Sequence, residues 1–374
     1  MTTAFIDESG NTGQNMFDPA QPMYFTAAMV TDGDFDNEWG DRVKAYADSV
    51  GHELLHGSVL SPSQVEQVSP SILSLIQEAN ARFVVTGVHK ETHVAMKIFD
   101  YIFDPGENHG AAWHHYWLKP LRVTNALLFM QLLTLEDRKD GWRSLMDSNK
   151  GRSTKRFQGM LNRILPRVDE IADPRQREVF KDAIGYAAKN RECIYVHGSS
   201  KALRFNHLPN LALFPELLAG IDSHSVAIGQ KTGCIRHDQC SQFDKYLKAM
   251  HKMVSEVKPY EMKLPFGVNL NPSRVPNSIF EIHPSNQSAG IQVIDHILWV
   301  ISRAQNGFDV PRGCTELLEF VDQEASKWFI TTDSMLRYLQ EEFENLATVP
   351  FTSEDEQRAK ELIQIDKDRR KGMM

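Results

Sequence analysis

Residues 3–30 read TAFIDESGNTGQNMFDPAQPMYFTAAMV, and two apolar runs in this stretch decide the fold. The first run, 3–6, leads directly into Asp7, Glu8, Ser9 and Gly10, and the second, 23–30, is aromatic and apolar. The residues between them are rich in Asn, Gly, Pro and Asp, which favour turns. The pattern predicts two buried strands joined by a wide loop, with Asp7 at the end of the first strand.

The rest of the chain extends this pattern into an α/β fold. Apolar spacing predicts helices over 34–49, 62–80, 242–254 and 289–304, and β-branched content predicts strands over 81–89, 225–228, 232–236 and 278–282. From about 99 to 188, and again after 312, the sequence shows helical patterns and no clear strand. We therefore predict an α/β core in two halves, 1–98 and 211–310, with a helical insertion at 99–210 and a helical C-terminal extension at 311–374.

The composition of the 374 residues narrows the class of protein. With 41% hydrophobic and 24% charged residues, the chain is neither disordered nor fibrous. Its net charge of −8 does not by itself favour a nucleic-acid partner. No apolar run reaches about 18 residues and the first residues lack a basic region, so neither a membrane span nor a secretory signal is expected. Four scattered cysteines, Cys193 among them, predict a reducing cytoplasm.

Three aspartates share one kind of setting. Asp7 and Asp238 follow predicted strands, and Asp295 lies on the apolar side of the helix 289–304, one turn after Gln292. An ionised carboxylate in such a place needs a metal, a basic residue or backbone donors. The strand-end aspartates could equally cap the turns that follow them. Asp295 has further alternatives, since it could pair with one of three basic residues: Arg236, Lys231 or Arg303.

Three segments in this order resemble a bacterial family called domain of unknown function 3800, whose members look like ribonuclease H-fold proteins. The segments are FIDESG, HDQCSQF and SNQSAGIQVIDHILW. The family's D-E-S-G falls on Asp7 to Gly10, and its Q-x-x-D falls on Gln292 and Asp295. A further element, ELLHGS, places Glu53 and His56 after the first helix. The matching pieces span 3–90 and 225–305, and the remainder lies outside the resemblance.

The resemblance implies a ribonuclease H-like mixed sheet and a metal-dependent phosphodiester hydrolase, namely a nuclease acting on RNA or DNA. Two Mg²⁺ or Mn²⁺ ions would be bound by Asp7, Asp238 and Asp295, with Glu8 or Glu53 as the fourth acid. His56 would move a proton or assist product release, and Gln292 would hold a ligand or the scissile phosphate. By analogy with the family, the chain would act in bacterial defence against phage.

Other predictions remain open. The main alternative is a non-catalytic ribonuclease H-like module that binds a protein or nucleic acid, in which case the acids do not converge; a third is a small-molecule phosphohydrolase. Segment 150–191 has eleven basic and five acidic residues, which suits either nucleic-acid backbone contacts or a solvated face. Cys234, His237 and Cys240 resemble a zinc knuckle that lacks a fourth ligand. The helical C-terminal region admits a homodimer, and the family resemblance admits a defence-system partner.

Overall fold

The computed structural model describes residues 1–190, 200–258, 262–263, 269–270 and 274–372, so Arg191 and Cys193 lie outside the described residues. The chain forms two compact units. Among the described residues, unit 1 consists of 1–88, 208–258, 262–263, 269–270 and 274–329, and unit 2 consists of 89–190, 200–207 and 330–372.

A six-stranded mixed sheet is the centre of unit 1. The strands of the chain are β1 (Thr2–Ser9), β2 (Met23–Asp32), β3 (Arg82–His89), β4 (Thr232–Asp238), β5 (Met262–Lys263), β6 (Asn269–Leu270), β7 (Ile279–His283) and β8 (Ala325–Ile330). The sheet has the order β7-β4-β1-β2-β3-β8, and β5 pairs with β6 separately. β1 is antiparallel to β2 and parallel to β4, which is parallel to β7. The predicted α/β class with a mixed sheet is confirmed.

Helices surround this sheet in unit 1 and make up most of unit 2. In chain order they are α1 (Phe35–Ser49), α2 (Pro62–Glu78), α3 (Lys90–Phe103), α4 (Trp113–Trp117), α5 (Lys119–Leu132), α6 (Leu135–Met146), α7 (Lys150–Ile164), α8 (Pro174–Lys189), α9 (Lys201–Phe205), α10 (Pro209–Ala212), α11 (Phe214–Ala227), α12 (Asp244–Glu256), α13 (Ala289–Gln305), α14 (Thr315–Glu324), α15 (Thr332–Ala347) and α16 (Ser353–Lys371). In the described residues, no helix is long and apolar enough to cross a membrane.

The two faces of the sheet carry different helices. Side chains alternate along a strand, so Phe5 and Asp7 point to one face of β1 and Glu8 points to the other. On the Phe5 face, α1, α2, α13 and α14 share one apolar core with the strands. On the other face lies α11, where Gly220 approaches Val84 so closely that a Cβ would be 2.5 Å from a methyl group.

Helix α13 lies directly on β1. A Cβ at Gly290 would be 2.4 Å from the ring of Phe5, so only glycine permits this approach. The start of the helix is held by Asp36, whose Oδ1 accepts hydrogen bonds from Gly290 N at 2.8 Å and from Ser288 Oγ at 3.0 Å. A carboxylate at a helix N-terminus is favoured by the helix dipole. This packing fixes where the inward side chains of α13 stand relative to the end of β1.

Two predicted elements were wrong. Residues 225–227 end α11 rather than forming a strand, because a short apolar run does not distinguish strand from helix, and Ser225 Oγ bonds back to Ile221 O one turn earlier. The region after 311, predicted to be helical, contains β8 at the edge of the sheet. Its Phe329 packs against Phe25 with ring centroids 6.3 Å apart, and this tertiary contact outweighs local helix preference.

Candidate active site

Three carboxylates meet at the end of the sheet where β1 and β4 finish. The parallel pairing of Ile6 with His237 places the next residues, Asp7 and Asp238, side by side. Asp295 reaches the same place from α13. Asp7 interacts electrostatically with both other acids, and Asp238 interacts with Asp295. The structure therefore brings together three residues that are far apart in the sequence.

The environment of Asp7 and Asp238 disfavours the charged forms of these two acids. Asp7 is only 8% exposed, and its burial, followed by the charges of Asp295 and Asp238, raises its pKa well above the usual value. A hydrogen bond from Glu8 N to Asp7 Oδ1, at 2.7 Å, opposes this rise in the pKa. Burial also raises the pKa of Asp238, and the charge of Asp295 adds to the rise. Ionising Asp7 and Asp238 together is therefore unfavourable in the protein alone.

Two of the three basic partners predicted for Asp295, Arg236 and Arg303, are engaged elsewhere. Arg236 Nη1 pairs with Asp34 at 2.6 Å and with Asp36 at 2.8 Å, and Arg303 Nε donates to a backbone carbonyl. In the part of the chain that the structure describes, no Lys or Arg forms an ion pair with Asp295 or with its two neighbours; the ion pair that Asp295 does form is with His56. The alternative of a Lys or Arg partner for Asp295 is therefore wrong for the described residues.

Gln292 and Asp295 fasten one loop to α13. Gln292 Oε1 accepts from Leu55 N at 3.1 Å, and Asp295 Oδ2 accepts from Gly57 N at 2.6 Å. Gln292 Nε2 donates to the carbonyl of Ser285 at 3.0 Å, so both ends of its amide are bonded to backbone. Gly57 is required here because a Cβ would lie 2.9 Å from Trp299. Gln292 thus positions the loop, and its predicted contact with a ligand or phosphate stays a prediction.

His56 is carried on that loop and faces the acids. Its Nδ1 lies 2.8 Å from Asp295 Oδ2, and because a carboxylate can only accept, Nδ1 carries the proton. This hydrogen bond raises the pKa of His56, in spite of partial burial, and the charge of Asp238 raises it further. The side chain is 44% exposed, so the imidazole can exchange protons with molecules outside the protein.

Glu8, predicted as a metal ligand beside the aspartates, points to the opposite face of β1. Its Oε2 accepts from Asn210 Nδ2 at 2.5 Å and from Asn11 Nδ2 at 3.3 Å, and its Oε1 is 3.8 Å from His237 Nε2. Burial raises the pKa of Glu8, and His237 and Asn210 lower it by a smaller amount. The pleat of the strand accounts for this placement, because neighbouring residues of a strand cannot share a face.

Glu53, the other predicted fourth acid, lies exposed in the loop between α1 and α2 and forms no hydrogen bond or ion pair with the described residues. Sequence reasoning assigned no site role to Asn11 or Asn210, and considered His237 only as a ligand of the zinc knuckle. Asn11 directly follows D-E-S-G, and His237 directly precedes Asp238. Their places beside these site residues could have indicated both from the sequence. Asn210 had no such signal, because its proximity to Glu8 results from chain packing over 202 positions.

The donor chemistry of the cluster fits a hard divalent cation. Among the residues that the structure describes, no group of three or more His, Cys, Asp or Glu side chains is arranged to hold a metal ion. Mg²⁺, however, commonly uses one or two carboxylates and completes its shell with water and substrate phosphate. Repelling carboxylates that lack a Lys or Arg partner among the described residues suit such binding. The predicted zinc knuckle does not form in the described residues, where Cys234 Sγ bonds to Glu281 Oε2 at 3.5 Å.

Comparisons with protein-family models, curated proteins and solved structures find no match to this chain. The fold and the site are accordingly defined by the molecule itself: an α/β protein with a six-stranded mixed sheet and a cluster of aspartates where β1 and β4 end.

Proposed function

We propose that the protein is a divalent-metal-dependent phosphodiesterase with a ribonuclease H-like fold, acting as a nuclease on RNA or DNA. One observation carries this proposal: Asp7, Asp238 and Asp295 converge without an ion pair to Lys or Arg among the described residues. Like charges that raise one another's pKa would be stabilised in their ionised forms by a bound cation. The central position of β1, antiparallel to β2 and parallel to β4, supports the ribonuclease H-like topology that the family resemblance implies.

Each residue of the cluster would have a separate task. Mg²⁺ or Mn²⁺ would supply Lewis acidity and an activated water. Asp7 and Asp238 would hold the cations from the strand ends, and Asp295 would do so from α13. His56, held through Nδ1, would exchange a proton through its other ring nitrogen. Gln292 would keep the loop of His56 in place through its bond to Leu55 N.

A second candidate is a non-catalytic module of the same fold. It is favoured by the two bonds that Asp295 Oδ2 already makes, to Gly57 N and to His56, and by the lack of a three-residue metal group among the described side chains. In that case Asp295 serves to fasten a loop. The two candidates differ in whether the purified chain binds Mn²⁺ at the aspartates.

The test is cleavage of labelled single- and double-stranded DNA and RNA by purified protein with Mn²⁺ or Mg²⁺. Asp7→Asn and Asp295→Asn should each lower the rate by roughly 10³-fold, since each removes a cation ligand. Asp140→Asn is the matched control, because Asp140 is also partly buried but pairs with arginines in unit 2. Its rate should stay within about threefold of the original.

Circular dichroism of every variant establishes that loss of activity is not loss of fold. Undiminished cleavage by both folded site variants would overturn the nuclease proposal. A wild-type chain that neither cleaves these substrates nor binds Mn²⁺ would support the non-catalytic module instead. The substrate that is cleaved also decides between RNA and DNA.

A further inference from the structure

A second polar cluster lies on the face of the sheet opposite the aspartates, with Glu8 at its centre. Two amides donate to one carboxylate oxygen: Asn210 Nδ2 at 2.5 Å and Asn11 Nδ2 at 3.3 Å. His237 Nε2 stands 3.8 Å from the other oxygen. The Glu8 side chain is only 7% exposed, and a buried carboxylate needs such donors. Asn210 is the nearest of them.

The cluster connects to the proposed site through the backbone of β1. The N–H of Glu8 donates to Asp7 Oδ1 at 2.7 Å, so the orientation of the Glu8 peptide decides where the Asp7 carboxylate stands. The Glu8 side chain in turn is tied to Asn210, which is itself 3% exposed and therefore held by packing. Asn210, Glu8 and Asp7 form a continuous series of hydrogen bonds from one face of the sheet to the other.

We infer that Asn210 is a positioning residue that fixes Asp7 through Glu8. The inference rests on the proposed function, because Asp7 is the group whose placement is at stake. Without the amide of Asn210, the Glu8 side chain loses its shortest bond and can rotate toward solvent, and its peptide then no longer holds Asp7 Oδ1 in one place. Ligands of a metal site depend on partners of this kind for their orientation.

The experiment is a reciprocal exchange at positions 8 and 210. Four variants are compared with the wild type: Asn210→Ala, Asn210→Asp, Glu8→Gln and the double variant Glu8→Gln/Asn210→Asp. The readouts are Mn²⁺ affinity by titration calorimetry, and kcat and KM for cleavage. Asn37→Ala is the matched control, since Asn37 also donates from an amide to a carboxylate, Asp34, at 2.9 Å but on the exposed surface of unit 1.

Asn210→Ala should weaken Mn²⁺ binding and lower kcat by roughly 10-fold each, with little change in KM, as expected for loss of a residue that supports a ligand. Asn210→Asp should be worse, because it sets two carboxylates against each other. The double variant should recover to within about threefold of wild type, because the amide and the carboxylate exchange places and the hydrogen bond is restored.

Three results would overturn the inference. If Asn210→Ala behaves like Asn37→Ala, then the amide of Asn210 does not position Asp7. A double variant no better than its single variants would show that the charge of Glu8, and not its bond to Asn210, is what matters. A wild-type chain without Mn²⁺ binding or cleavage would overturn the proposed function and this role with it, whereas an active wild type with an unaffected Asn210→Ala overturns this inference alone.

Discussion

Each unit of the molecule contains a cluster of three aspartates, and the two clusters differ in their partners. In unit 1, Asp7 is 8% exposed and Asp295 16%. In unit 2, Asp137 is 0% exposed and Asp147 6%. These four side chains have little exposed surface, but the acids of unit 2 pair with arginines and those of unit 1 do not, as far as the described residues extend.

The pairing in unit 2 is extensive. Asp137 forms two ion pairs: its Oδ1 lies 3.0 Å from Arg163 Nε, and its Oδ2 lies 2.7 Å from Arg167 Nη1. Burial alone would raise the pKa of Asp137, but hydrogen bonds from Thr134, Arg167 and Arg163 together bring it below the usual value. Arg152 similarly lowers the pKa of Asp147. A buried acid that guanidinium groups surround is therefore structural, whereas the aspartates of unit 1, which have no such partners among the described residues, are the candidate site.

The same pairing revises the prediction for segment 150–191. Its arginines face acids that precede it in the sequence: Arg152 and Arg156 pair with Asp147, and Arg163 pairs with Asp140. A count of charges within the segment alone misses these partners. Much of the positive charge of this segment is paired with acids of unit 2. This pairing weakens the prediction that the segment contacts a nucleic-acid backbone.

The largest expected effect is on stability in unit 2. Asp137→Asn should lower the free energy of unfolding by about 3 kcal/mol, because it leaves two arginines without their buried partner. Asp7→Asn, measured in EDTA, should leave the free energy of unfolding unchanged or raise it, since it removes repulsion. Urea denaturation followed by circular dichroism measures both. Equal losses in the two variants would contradict the contrast between the clusters.

In the presence of metal, the wild type should become more stable than Asp7→Asn. At a Mn²⁺ concentration 100 times its Kd, the wild type should gain about 2.7 kcal/mol in unfolding free energy. Asp7→Asn should lose this gain and Asp140→Asn should retain it. Thermal denaturation over a Mn²⁺ titration measures the effect. A gain that survives in Asp7→Asn would place the cation away from the aspartates.

The smallest effect concerns His56 and depends on pH. Because the bond to Asp295 raises the pKa of His56 in the folded chain, its stabilising contribution is complete below about pH 6.5, the unfolded value, and is lost as the pH rises through the folded pKa. The side chain is partly exposed, so His56→Gln should cost less than about 1 kcal/mol at pH 5.5. It should cost less still at pH 8.5.

Repeating this substitution in an Asp295→Asn background provides the control. There the pH dependence should vanish, because its cause is the carboxylate of Asp295. Unfolding free energies at the two pH values measure it. A pH dependence that persists without Asp295 would assign the effect to a different partner.

The sequence predicted the parts of the site that follow from local pattern. A strand that ends in aspartate locates Asp7 and Asp238, and the apolar stripe of α13 turns Asp295 inward. The hairpin of β1 and β2 was predictable for the same reason, since apolar runs and turn residues are local signals. Convergence of Asp7 and Asp238 follows once β1 and β4 are neighbours, and Asp295 joins them because α13 packs on β1.

What could not be predicted depends on contacts between distant segments. Gln292 Oε1 accepts a hydrogen bond from Leu55 N, 237 positions away, and the sequence around neither residue predicts that bond. Glu53 was a reasonable candidate by residue type, but its loop leaves it in solvent. Glu8 is a different case, because the alternation of side chains along β1 already separates it from Asp7.

The close seat of α13 on β1 has a consequence for cation size. Because Gly290 lies against Phe5, a larger residue at position 290 would move α13, and Asp295 with it, away from β1 and Asp7. Oxygen ligands sit at 2.0–2.1 Å from Mg²⁺ and at 2.3–2.6 Å from Ca²⁺. In the proposed metal site, this spacing between the two carboxylates would favour cations of one ionic radius over another. Selectivity among hard cations would then belong to a glycine that never touches the ion.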